Sequence, residues 1–213
     1  MARARLTTRR LLGLDRSGGP PPQTTRGQPL NPWTVPNAIG FTRLGLLPVF
    51  LYLALASGDG RSAAAVVVYS VVALSDYADG MAARITGQYS RLGALLDPLT
   101  DRALVISGAV VCWQFELLPR WALAVLAGRE LLMLVLTEVA LRNQIDLSIN
   151  MLGRWAVWPT MAALVLSMVT DAVWPEWLLY VGLALTIGAT LIYFRDGIVG
   201  LRRKDSSRPS TSR

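Results

Sequence analysis

The chain contains no histidine and a single cysteine, Cys112. Imidazole-based acid–base catalysis and histidine-ligated zinc are therefore excluded, as are an intrachain disulfide and a cysteine metal knuckle. Any metal this chain binds must be held by oxygen, which favours Mg2+, Mn2+ or Ca2+. Charge is scarce too. Asp, Glu, Lys and Arg make up 16% of the 213 residues, against 53% apolar. Lysine is almost missing: Lys204 is the only one among 21 basic residues. Mean hydropathy is +0.41. That is too apolar for a soluble domain, and equally wrong for a disordered or collagen-like chain. The composition predicts an all-α integral membrane protein.

The net charge of +7 and the pI near 10.3 raise the question of nucleic acid. The distribution argues against it, because the basic residues crowd the two ends and alternate loops. That is the pattern of the positive-inside rule. Residues 1–29 are read as a basic cytoplasmic tail, since no apolar h-region follows the early arginines as a signal peptide would require. Residues 201–213 are read as a second disordered basic tail, and 30–200 as the membrane domain.

Within that domain six apolar segments stand out, at about 37–57, 62–83, 93–114, 119–141, 153–173 and 177–199. Each is near the roughly 20 residues that cross a bilayer as a helix. A short interfacial segment, 30–36, precedes them. Arg84, Arg91, Arg142 and Arg154 fall in loops on the same side as both tails, whereas the other side holds only Arg61 and Arg120 beside four acids. Both termini are therefore expected in the cytoplasm, with the plasma membrane as the location. The tryptophans lie near the ends of these segments, as an aromatic belt requires.

Four aspartates break the second and third segments: Asp76, Asp79, Asp97 and Asp101. Carboxylates at this depth are costly and mark function. At about 100° per residue, Asp79 and Gly80 flank Asp76 on one helical arc, with Ala83 and Arg84 beside them. Asp97 and Asp101 are i,i+4 neighbours with Gly93 stacked above. A short loop joins the two segments, so an antiparallel pair would bring the four acids together. Two hard divalent ions match that ligand type and count. Gly80, Ala83 and Gly93 are expected to clear space for a ligand on the same face. The competing structural account is a set of intramembrane ion pairs with small residues for helix packing.

These residues fit D-x2-D-G-x2-A-R-x8-G-x3-D-x3-D without a gap. The pattern resembles the signature of the CDP-alcohol phosphatidyltransferases. Val35-Pro36-Asn37-Ala38-Ile39, with Arg43 and Pro48, resembles the first-span opening of phosphatidylglycerophosphate synthases and related cardiolipin synthases, although Gly40 replaces their frequent Thr or Ser. The resemblance implies six spans, a homodimer, and phosphatidyl transfer from CDP-diacylglycerol with release of CMP. It implies Asp76, Asp79 and Asp97 as ligands of two Mg2+ or Mn2+ ions, with Asp101 as general base beside the second. It implies that Asn37, Gly80, Arg84 and Ser90 contact the CDP-lipid.

The acceptor needs a phosphate site, for which Arg43, Arg129 and Arg154 are the candidates. Gly128-Arg129-Glu130 and Gly153-Arg154 resemble patches of the same two branches. Arg129 has a plainer role available, pairing with Glu130 or Glu138, and Arg154 could be a positive-inside anchor. Glycerol 3-phosphate is the expected acceptor, with phosphatidylglycerol the alternative, since both branches keep these features; the first-span resemblance makes an inositol-type acceptor less favoured. A reading of another class is a cation or proton transporter. The single acidic motif at one membrane edge, with no internal repeat, argues against it.

Overall fold

A computed structural model of the protein describes residues 32–142 and 151–206. Among them lie six helices and no strand: α1 Val35–Ala56, α2 Ala63–Thr86, α3 Arg91–Gln114, α4 Arg120–Arg142, α5 Met151–Ser167 and α6 Trp174–Ser206. The expected all-helical class is borne out. Three of the described helices are long and apolar enough to cross a membrane, namely Val35–Ala56, Ala63–Ala83 and Trp174–Ile192, and Ala156–Ser167 is a shorter apolar one. Charges dilute the other two: α3 carries Arg91, Asp97, Asp101 and Arg102, and α4 carries Arg129, Glu130 and Glu138 between its terminal arginines.

Several boundaries differ from expectation. α1 takes in Val35 and Pro36, which the sequence placed in an interfacial segment. Pro36 belongs there because the first helical turn has no intrahelical partner for the amide that proline lacks. α5 stops at Ser167, short of 173. α6 runs on to Ser206, into the segment expected to be disordered tail.

The chain divides into two compact units, with the boundary inside α3 between Ser107 and Gly108. In the first, α1 packs on α2 around Phe50 and Tyr69. Both are fully buried, and their rings meet edge-on with centroids 4.9 Å apart. Close packing of this kind holds helices together where lipid removes the hydrophobic drive between them. Thr34 caps α1 by accepting from the Asn37 amide at 3.3 Å. α2 ends at Gly87, whose φ of +66° is the left-handed cap that glycine adopts without strain. In the second unit, Trp121 of α4 stacks on Tyr180 of α6 at 5.4 Å, over a core that includes Leu123, Leu126, Leu164 and Leu179. Large apolar side chains such as Tyr52, Val67, Leu74, Val135 and Leu191 stand exposed on the helices, as surfaces that face lipid do.

Candidate active site

The first unit carries the acidic motif. Asp76, Asp79, Gly80 and Arg84 lie in the last part of α2, and Asp97 and Asp101 in the first half of α3. Arg43 of α1 reaches across to them. Its Nη1 donates to Asp76 Oδ1 at 3.2 Å, its Nη2 to Asp101 Oδ1 at 2.9 Å, and its Nε to the Val72 carbonyl at 3.3 Å. Arg43 is 1% exposed, yet the Asp76 and Asp101 side chains keep 50% and 45% of their surface open. One buried guanidinium thus gathers two acids of the motif from two helices. Asp97 is exposed on α3, and Gly80 is half-buried on α2. The side chains of Asp79 and Arg84 lie outside the described residues.

Sequence reasoning missed this use of Arg43 and grouped it with the acceptor-phosphate candidates. The signal was available. Arg43 is the only charged residue of α1, and a lone cation in an apolar helix must find an anion. The nearest sets of acids in the sequence were those of the motif.

Asn37 and Ser90, both expected at the CDP-lipid, touch each other. The Ser90 hydroxyl donates to Asn37 Oδ1 at 2.8 Å, and Asn37 Nδ2 donates to the Pro32 carbonyl at 3.1 Å. Ser90 Oγ also accepts from the Gly93 amide at 2.9 Å, which caps the start of α3. Both residues are buried. Gly93 was expected to leave room for a ligand. Instead, a Cβ there would stand 2.7 Å from Asn37 Oδ1 and 3.2 Å from Ser90 Oγ. The missing side chain makes room for a neighbouring helix's amide. Beside this knot, a groove of about 580 Å³ runs along the start of α1, with largely apolar walls that include Trp33, Val35, Phe41 and Gln88. The Val35 amide donates to Gln88 Oε1 at 3.0 Å, which ties α1 to the loop between α2 and α3.

In the second unit, Arg129 Nη1 lies 2.5 Å from Glu130 Oε1, and its Nε donates to Thr190 Oγ1 at 3.3 Å. The two side chains are only 16% and 9% exposed. Arg129 therefore has the ion-pair partner that the sequence offered as its plainer role. The side chain of Arg154 lies outside the described residues.

The donor chemistry of the motif suits a hard divalent cation, because every candidate ligand is a carboxylate. Asp76 and Asp101 are held near one another with half their surface open. Among the described side chains no three acids are gathered closely enough to hold an ion.

Comparison with known proteins agrees with the motif. The family model described as CDP-alcohol phosphatidyltransferase matches residues 33–188. A cardiolipin synthase (CMP-forming) of Streptomyces coelicolor is 35% identical over 167 residues, covering 76% of this chain and 78% of that protein. A CDP-diacylglycerol–glycerol-3-phosphate 3-phosphatidyltransferase of Bacillus subtilis is 29% identical over 143 residues, 62% of this chain and 74% of that protein. The human cardiolipin synthase (CMP-forming) is 39% identical over 90 residues, 42% of this chain and 29% of that protein.

Proposed function

The chain belongs to the CDP-alcohol phosphatidyltransferases, enzymes of phospholipid synthesis, and on that premise we propose that it transfers the phosphatidyl group of CDP-diacylglycerol to phosphatidylglycerol, forming cardiolipin and CMP. The observation that carries this acceptor is the likeness to the Streptomyces protein, which runs through about three quarters of both chains. A second reading takes glycerol 3-phosphate as acceptor. The Bacillus relative leans that way. Both acceptors present a glycerol hydroxyl and a phosphate, so one site chemistry serves either.

In this reading all six helices cross the plasma membrane of a homodimer, and both termini and the acids face the cytoplasm. Asp76, Asp79, Asp97 and Asp101 hold two Mg2+ or Mn2+ ions. When bound, such ions neutralise the diphosphate and spread the charge that develops on the departing CMP. Asp101 takes the proton of the acceptor hydroxyl as its oxygen attacks the phosphorus that bears diacylglycerol. The bond from that phosphorus to the CMP oxygen breaks, and CMP leaves with the electron pair. Arg84 adds fixed positive charge to the phosphates. Asn37, Gly80 and Ser90 shape the CDP-lipid end of the site. The apolar groove at the start of α1 suits acyl chains better than a charged headgroup. Arg154, and Arg129 if it leaves Glu130, remain the candidates for the acceptor phosphate.

Purified protein given CDP-diacylglycerol and Mg2+ tests the acceptor. CMP and cardiolipin should appear with phosphatidylglycerol. CMP release with glycerol 3-phosphate alone would select the second reading. Ion flux in liposomes without CMP from either acceptor would favour a transporter.

A further inference from the structure

We propose that Arg43 is a positioning residue for the transfer: a resident cation that shares Asp76 and Asp101 with the divalent ions and sets how tightly those ions bind. This rests on the reading that the acids hold such ions. Arg43 is almost wholly buried, and its Nε, Nη1 and Nη2 all have acceptors, two of them carboxylates of the motif. The two terminal nitrogens of a guanidinium diverge in one plane, so a single rigid group can bond acids on two different helices in a fixed geometry, which the compact ammonium of lysine does not impose. Asp76 and Asp101 each retain about half their surface, so Arg43 covers part of each acid and leaves part open.

Two consequences follow. Without divalent ions, Arg43 relieves the repulsion between carboxylates of neighbouring helices and keeps them close. With ions present, the same positive charge opposes their binding. Because both acids are half open to solvent, a dielectric constant near that of water, about 80, applies; at a separation of about 5 Å one charge then alters the affinity of a divalent ion by on the order of tenfold. A residue that merely filled space would leave metal affinity unchanged, and one that bound the acceptor phosphate would raise the acceptor KM when removed.

The test is Mn2+ binding to the purified full chain in detergent, without substrate, followed by electron paramagnetic resonance. Arg43→Gln should bind Mn2+ about tenfold more tightly than wild type, and added Mn2+ should raise its melting temperature by more than it raises that of wild type. Its kcat should fall while the acceptor KM stays within about twofold. Arg43→Lys, which keeps the charge but loses the fork, should stay within about threefold of wild type in Mn2+ affinity, and Arg43→Met, which removes the charge, takes the place of Arg43→Gln if that variant does not fold. Mn2+ affinity in a charge-removing variant equal to or weaker than that of wild type, or tightening in Arg43→Lys as large as that in Arg43→Gln, would overturn the inference. So would a raised acceptor KM at unchanged Mn2+ affinity. Failure of wild type itself to bind Mn2+ would bring down the metal reading, and this inference with it.

Discussion

The hydroxyl of Ser90, at the start of α3, donates to the amide oxygen of Asn37, in the first turn of α1, at 2.8 Å. The two residues are 53 positions apart and both are buried. The same hydroxyl caps α3 by accepting from the Gly93 amide. One side chain therefore starts the helix that carries Asp97 and Asp101 and fastens it to the helix that carries Arg43.

Ser90→Ala removes the cap of α3 and the buried hydrogen bond from Ser90 to Asn37 Oδ1. The expected loss is about 1–3 kcal/mol of stability. It is checked by thermal melting in detergent, with Ser90→Thr, which keeps the hydroxyl, losing less than Ser90→Ala.

Gly93→Ala places a methyl group 2.7 Å from Asn37 Oδ1. Overpacking of this kind costs about 1–3 kcal/mol and would push α1 away from α3. Activity should fall at least about tenfold, since small displacements of reacting groups are costly. The double variant Asn37→Ser, Gly93→Ala should regain melting temperature relative to Gly93→Ala, because the shorter side chain leaves room. Equal melting temperatures would rule out this clash.

Arg129→Ala should act on stability before acceptor binding. It removes the cation that pairs with Glu130, which is 9% exposed. Breaking a buried pair from one side costs about 3–5 kcal/mol. The double variant Arg129→Ala, Glu130→Ala should be more stable than Arg129→Ala alone. A stable Arg129→Ala with a much raised acceptor KM would instead return Arg129 to the acceptor site.

Much of this was legible in the sequence, for identifiable reasons. The acidic motif was visible because carboxylates in apolar segments stand out and their spacing is helical. The helical class followed from composition. The partnership of Arg43 with Asp76 and Asp101 was not legible, because it joins residues 33 and 58 positions apart and depends on how α1 packs. Gly93 was misread for a similar reason. A glycine that makes room for a ligand and one that makes room for a neighbouring amide look alike until the neighbour is known. The end of α6 was missed because a run of cations reads as solvated tail, although cations also suit a helix terminus.

The central claim is that the aspartates of α2 and α3 carry a metal-dependent phosphatidyl transfer. Its most direct test is CMP release from CDP-diacylglycerol by the purified protein, with phosphatidylglycerol or glycerol 3-phosphate, compared with Asp101→Asn. Wild type should release CMP with Mg2+, stop in EDTA and recover when Mg2+ or Mn2+ is restored. Asp101→Asn should lose at least about a hundredfold in rate while still binding CDP-lipid. CMP release that persists in EDTA, or Asp101→Asn turning over near the wild-type rate, would contradict the account.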